Sequence, residues 1–202
     1  MDNLGNRIGI IGGTFDPIHN GHLIIAEKAR DEFSLEKVVF IPAGNPPHKK
    51  TFFASAEQRY EMVKTAVKNN PFFEVSTIEL DKKRISYTYE TVLQLEQQYL
   101  NSQLYLIIGE DSFLDLASWH KYELLAKKVV FLVARRDLVE KSVKPPLDIE
   151  MLNYYFISSP LVEISSSYIR DCIYFEKTVK YLIPDKVFEY IRRNNLYGFN
   201  NT

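Results

Sequence analysis

The chain has 202 residues, 46% of them apolar, which is enough for one domain with a full core. Its 25 Lys and Arg balance 26 Asp and Glu, so it lacks the basic surplus of a general nucleic-acid binder. A single cysteine, Cys172, allows no internal disulfide and suits a reducing compartment; with neither a signal-peptide pattern nor a long apolar span, the expectation is a cytoplasmic protein that does not enter a membrane.

In chain order, the first strong signal is the apolar run Ile8-Gly9-Ile10-Ile11, read as a buried strand. It runs into Gly12-Gly13-Thr14-Phe15-Asp16-Pro17-Ile18-His19-Asn20-Gly21-His22. Gly12 and Gly13 let the backbone come close to a phosphate. A helix opening near Asn20 aims free N–H groups and a partial positive charge at the same place. His19 and His22 lie one helical turn apart and share a face, whereas Asp16 before Pro17 reads as a turn residue. Ile25, Ala29 and Phe33 form an apolar stripe on that helix. Val38–Pro42 reads as the next strand, completing a right-handed strand–helix–strand unit.

A stiff Pro46-Pro47 segment carrying His48 and Lys49 follows. Ser55 and Gln58 spell a capping box for a helix reaching about Asn69. Phe72–Val75 is a short strand. Ser86 or Thr88 caps a helix carrying Val92, Leu95 and Tyr99. Leu104–Ile108 is a buried strand ending at Gly109, and Val129–Val133 is another. Arg135–Glu150, with Pro145-Pro146, reads as a surface loop. Ser165-Ser166-Ser167 is an N-cap cluster for a short helix with Arg170 one turn inside. Pro184 marks the first turn of a last helix whose inner face is Val187, Phe188 and Ile191. Short apolar runs alternating with helices predict an α/β fold, a Rossmann-like parallel sheet with helices on both faces. The expected organisation is a single domain over residues 1–202, with a C-terminal helical part at about 165–197 packed against it.

Glycines, a helix start and two imidazoles make a place to hold a nucleotide triphosphate while one of its P–O bonds breaks. The glycine spacing is not Gly-x-Gly-x-x-Gly, and no Walker A lysine is present, so neither an ordinary dinucleotide site nor a P-loop is expected. A zinc site is the rival for the paired histidines, but it requires a third ligand and a supporting pattern such as His-Glu-x-x-His.

The segment from Gly12 to His22 resembles the (S/T)-F-D-x-x-H-x-G-H motif of the nucleotidylyltransferase superfamily, whose members join an NTP to a phosphorylated acceptor and release pyrophosphate. The resemblance implies catalysis by positioning and charge neutralisation, without an enzyme nucleophile. It assigns His19 to the α-phosphate region, His22 to the nucleotide and its phosphates, and Gly12, Gly13, Thr14 and Phe15 to loop contacts. Ile164-Ser165-Ser166-Ser167-Tyr168-Ile169-Arg170 is similar to the superfamily's second phosphate motif. That similarity gives Ser166, Ser167 and Arg170 to the outer phosphates.

Further segments resemble the nicotinic acid mononucleotide adenylyltransferases. The Pro46-Pro47-His48-Lys49 loop would bring Lys49 to a substrate phosphate. Ser86-Tyr87-Thr88-Tyr89-Glu90-Thr91 would place Thr88 near a nicotinate carboxylate. Trp119, whose other reading is core packing, would stack on the pyridine ring. Gly109 and Asp111 would serve the adenosine side. The implied substrates are ATP and nicotinic acid mononucleotide, in NAD synthesis. Mg²⁺ would be carried by the ATP phosphates rather than by protein ligands. The alternatives are another superfamily nucleotidyltransferase acting on pantetheine phosphate or glycerol phosphate, and a nucleotide-binding sensor without turnover. A homo-oligomer is compatible with the sequence.

Overall fold

The computed structural model describes residues 6–45, 52–80, 85–135, 152–160 and 162–198. The Pro46-Pro47-His48-Lys49 segment, and all of the expected 135–150 loop except Arg135, lie outside the described residues. The strands are β1 (Arg7–Gly13), β2 (Lys37–Pro42), β3 (Phe73–Val75), β4 (Gln103–Gly109), β5 (Val129–Ala134) and β6 (Tyr154–Ile157). They form a six-stranded sheet in the order β3-β2-β1-β4-β5-β6, the strand order of doubly wound nucleotide folds. The Rossmann-like expectation therefore holds. β1 runs parallel to β4, with Ile11 opposite Ile107; β4 runs parallel to β5, and β5 to β6.

The apolar runs read correctly because strands buried on both faces carry nearly continuous hydrophobic sequence. Ile8, Ile10, Leu104, Leu106, Phe131, Leu132 and Val133 are all buried. The sequence reading missed β6. Its residues Tyr154-Tyr155-Phe156-Ile157 are mostly half-exposed, with Tyr155 at 55%, as fits a strand at the end of the sheet order. Contacts from distant residues hold it. The Tyr155 ring meets Phe33 with centroids 5.7 Å apart, and the backbone N–H and hydroxyl of Ser158 donate to the Glu32 carboxylate at 2.8 and 3.1 Å.

The helices are α1 (Asn20–Glu32), α2 (Ala56–Val67), α3 (Thr88–Gln98), α4 (Glu110–Leu114), α5 (Tyr122–Ala126), α6 (Ser166–Tyr174) and α7 (Asp185–Arg193). The capping box at α2 is present in full: the Ser55 hydroxyl accepts from the Gln58 N–H, and the Gln58 side chain accepts from the Ser55 N–H. The expected cap of α3 is not Ser86 or Thr88. Tyr87 occupies that position with no side-chain cap, and Thr88 is the first helical residue. Pro184 stands immediately before α7 rather than within its first turn.

The chain divides into two compact units. One comprises the described residues of Met1–Gly12, Ile25–Val39 and Tyr87–Val162; the other comprises those of Gly13–Ile24, Phe40–Ser86 and Glu163–Thr202. The second unit therefore holds the histidine motif, α2, β3, α6 and α7. Because the α2 cap satisfies two backbone donors at once, Ser55→Ala is expected to destabilise the fold by about 1 kcal/mol, read as a lower urea midpoint at unchanged slope. An unchanged midpoint would show that the cap contributes nothing.

Candidate active site

The second unit brings most of the predicted phosphate residues together. β1 ends at Gly13, and the loop that follows leads directly into α1. Phe15 adopts a left-handed backbone, with φ of 50°, and turns its ring inward, where it is only 2% exposed. That ring lies edge-on to the His22 imidazole, with centroids 5.0 Å apart and planes at 81°. The His19 and His22 rings stack at 3.6 Å between centroids, 23° from parallel. Gly21 makes this stack fit, because a Cβ there would sit 3.0 Å from Nδ1 of His19.

The His19 backbone N–H donates to Nδ1 of His22 at 3.2 Å. A neutral ring that accepts at Nδ1 carries its proton on Nε2, so His22 is set as an Nε2–H donor. Nδ1 of His19 is buried and has no hydrogen-bond partner among the described residues. Burial lowers the His19 pKa from 6.5 to about 4. Burial, and then repulsion from a charged His19, lowers His22 well below 6.5. Both rings are therefore neutral at pH 7 in the free protein.

The start of α1 departs from expectation in one respect. The Asn20 N–H does not point free toward a ligand but donates to the Leu182 carbonyl at 2.9 Å, while the Asn20 side chain donates to the Tyr181 carbonyl at 2.7 Å. The turn before α7 thus fixes the first turn of α1.

At α6, the Ser165 hydroxyl accepts from the Tyr168 N–H at 3.2 Å, as a cap should. The Ser166 hydroxyl donates to the Pro17 carbonyl at 2.8 Å, and the Ser167 hydroxyl lies 3.1 Å from that of Ser165. Arg170 is half-buried. Its Nη1 donates to the Asp16 carbonyl at 2.7 Å, and its guanidinium lies 4.3 Å from the centre of the Phe53 ring. The start of α6 is thereby tied to the histidine motif at both Asp16 and Pro17.

Asp16 is more than a turn residue. It is only 2% exposed, and its carboxylate accepts from the Tyr197 hydroxyl at 2.7 Å and from the Phe53 N–H at 3.0 Å. Arg59, on α2, is fully buried. Its Nη1 donates to the Thr14 carbonyl at 2.7 Å and its Nη2 to the Gly44 carbonyl at 3.3 Å. Burial lowers the Arg59 pKa, and the Asp16 charge acts against that shift. Neither Arg59 nor Tyr197 was expected at the site. An arginine on a polar helix start and a tyrosine near the C-terminal end of the chain carry no local signal of burial.

The other unit carries Gly12, Thr88, Gly109, Asp111 and Trp119. Gly12, next to last in β1, and Gly109, the last residue of β4, have nothing within 4 Å of where a Cβ would lie, so the space beside both is open. Asp111 is exposed in the first turn of α4. Trp119 is half-buried just after a 3-10 turn, outside the apolar core. The start of α3 meets the segment after Trp119 at three points. The Tyr87 and His120 rings lie 4.3 Å apart, Glu90 and His120 pair at 3.9 Å, and Lys121 lies 5.2 Å from the centre of the Tyr89 ring. Thr88 and Trp119 therefore sit on adjoining segments, whereas Lys49 lies outside the described residues.

Residues 10–172 match the cytidylyltransferase-like family. Among curated relatives, a protein of Moorella thermoacetica named "probable nicotinate-nucleotide adenylyltransferase" is 44% identical over 95% of this chain and 91% of its own length. One of the same name from Dictyoglomus turgidum is 41% identical over 95% of each. The chain belongs to the nicotinate-nucleotide adenylyltransferase family. The fold agrees: a Plasmodium falciparum nicotinic acid mononucleotide adenylyltransferase complexed with NaAD superposes with a TM-score of 0.81 at 23% identity, covering 98% of this chain and all of that one.

The neutral histidines have a consequence for stability. Between pH 6.5 and about 4 the unfolded chain binds protons that the folded chain refuses. Stability therefore rises with pH across that window and is lost as pH falls through it. The urea midpoint is expected to drop steeply between pH 7 and 4, and less steeply in a His19→Asn, His22→Asn double variant. Equal slopes would show that the rings are not held neutral by the fold.

Proposed function

We propose that this chain transfers the adenylyl group of ATP to the phosphate of nicotinic acid mononucleotide, giving nicotinic acid adenine dinucleotide and pyrophosphate in NAD biosynthesis. The observation that carries the chemical part of this reading is the stacked His19–His22 pair, with its proton fixed on Nε2 of His22 and with Arg170 tied to the same loop. Names of relatives at 41–44% identity over nearly the whole chain support the acceptor.

In the proposed reaction an oxygen of the mononucleotide phosphate attacks the α-phosphorus of ATP. The bond from that phosphorus to the bridging oxygen of the β-phosphate breaks, and pyrophosphate leaves with the electron pair. Attacking and leaving oxygens lie in line in a single displacement, and no side chain is adenylylated. The protein supplies donors aimed at charge that builds on the transferring and leaving phosphates. Nε2–H of His22 is such a donor, already oriented before substrate arrives. His19, stacked beside it, serves the α-phosphate. The Arg170 guanidinium retains donors beyond the one spent on Asp16, and with the helix start at Ser166 and Ser167 it holds the outer phosphates.

Gly12 and Gly109 leave room for the nucleotide, and Asp111 serves the adenosine. Thr88, Trp119 and Lys49 serve the acceptor. Trp119 offers an aromatic face outside the core, where a flat pyridine ring gains most from stacking. Among the described residues no group of three or more His, Cys, Asp or Glu could hold a metal ion, and the substrate is taken to be Mg·ATP, with the ion on its phosphates. No helix among the described residues is long and apolar enough to cross a membrane, and we place the reaction in the cytoplasm, on free nucleotides.

The direct test is pyrophosphate release from Mg·ATP with nicotinic acid mononucleotide, nicotinamide mononucleotide, pantetheine phosphate and glycerol phosphate in parallel. Release with the acid mononucleotide is expected; release only with another acceptor would overturn the substrate assignment. His22→Ala is expected to lower kcat by at least about 100-fold with the fold intact, and near-normal turnover would remove His22 from the chemistry. Trp119→Ala is expected to raise the KM for the mononucleotide and leave that for ATP nearly unchanged. A rise confined to ATP would contradict the stacking role.

A further inference from the structure

Arg59 is among the largest side chains that the fold buries completely. Burying a guanidinium costs several kcal/mol even after relaxation, and apolar side chains often replace buried ions without loss of stability. Stability alone therefore gives no reason for an arginine at this point. Its two bonds to Thr14 and Gly44 reach backbone carbonyls 45 and 15 residues away in sequence, and its Nε has no hydrogen-bond partner among the described residues. Tyr197 makes the corresponding contact from the turn after α7, reaching Asp16 across 181 residues.

Both contacts end on the same short stretch of chain. Thr14 precedes Phe15, whose φ of 50° is unfavourable for a bulky side chain, so this path needs outside support. From there two lines of contact lead to predicted site residues. One runs from Arg59 to the Thr14 carbonyl, then through Phe15 to the edge-on contact with His22. The other runs from Tyr197 to the Asp16 carboxylate, and from the Asp16 carbonyl to Arg170.

We infer that Arg59 and Tyr197 are positioning residues for adenylyl transfer: they hold the backbone from Thr14 to Asp16 in the path that orients His22 and Arg170. The inference rests on the proposed reaction for its kinetic consequence, but its structural consequence is independent of the acceptor. Both side chains are buried, Arg59 wholly and Tyr197 at 7% exposed, so they act through the loop.

The test compares Tyr197→Phe and Arg59→Lys with the unaltered protein. Tyr197→Phe removes one hydroxyl and keeps the ring. Arg59→Lys keeps the charge but cannot bond both carbonyls in the fork geometry. For Tyr197→Phe, kcat is expected to fall about 10- to 100-fold with the KM for ATP within about threefold, while Tm falls by no more than about 6 °C. Arg59→Lys is expected to lose at least as much in kcat. Nitrogen-15 spectra of the ring in the free protein are expected to show His22 as the Nε2–H tautomer in the unaltered chain and as a tautomer mixture in both variants. Unaltered ring signals in both variants, or a full kcat with only a lower Tm, would overturn the inference. If the unaltered protein transfers adenylyl to no acceptor, the reaction fails as proposed, and the ring spectra still decide whether the two residues position His22.

Discussion

A carboxylate buried at the mouth of the first strand imposes the main constraint on this site. Asp16 is out of water, and a charge in that position must be met by donors and opposite charge. The Tyr197 hydroxyl and the Phe53 N–H supply the donors, and the Arg59 charge lies close enough to be stabilised by it. Meeting these demands draws α2, the segment before it and the turn after α7 onto one loop. The same loop then accepts Arg170 through the Asp16 carbonyl and Ser166 through the Pro17 carbonyl. The two motifs proposed to bind phosphate, from distant stretches of sequence, share this anchor.

Neutrality of the histidines follows from the same packing. Stacked rings in a crowded, partly dry place resist protonation, so the free site does not present imidazolium ions. Among the described residues it presents a fixed N–H dipole and the Arg170 guanidinium. Such an arrangement suits a transition state whose charge is spread over phosphoryl oxygens, because its donors need no reorganisation when that charge appears. It also keeps the two rings from carrying positive charges that would repel one another across 3.6 Å between ring centres.

Legibility in the sequence tracked locality. The buried strands β1, β2, β4 and β5 were readable because each is an uninterrupted apolar run. The capping box at Ser55 was readable because a cap is a contact three residues long. The Gly12–His22 and Ser165–Arg170 motifs stand out because their residues lie within one loop and one helix turn. β6 was not legible, since its aromatic residues are half-exposed and its support comes from Phe33 and Glu32, far back in the chain. Arg59 and Tyr197 were not legible for a stronger reason. Local sequence places an arginine after a helix cap on a solvated face, and only the long-range bonds to Thr14 and Asp16 show it to be buried. Trp119 reads from sequence as either core or pocket, and its half-buried position outside the core decides against the core reading.

The claim on which the whole account turns is direct transfer, with phosphate attacking phosphorus and the protein serving only as an oriented set of donors. The stereochemical course at that phosphorus tests it most directly. ATP made chiral at the α-phosphorus by a single sulfur substitution would be converted with nicotinic acid mononucleotide, and the configuration of the dinucleotide determined. A single in-line displacement inverts the phosphorus, and inversion is the predicted result. Retention would require two displacements and an adenylylated side chain, which would contradict the role assigned here to His19 and His22.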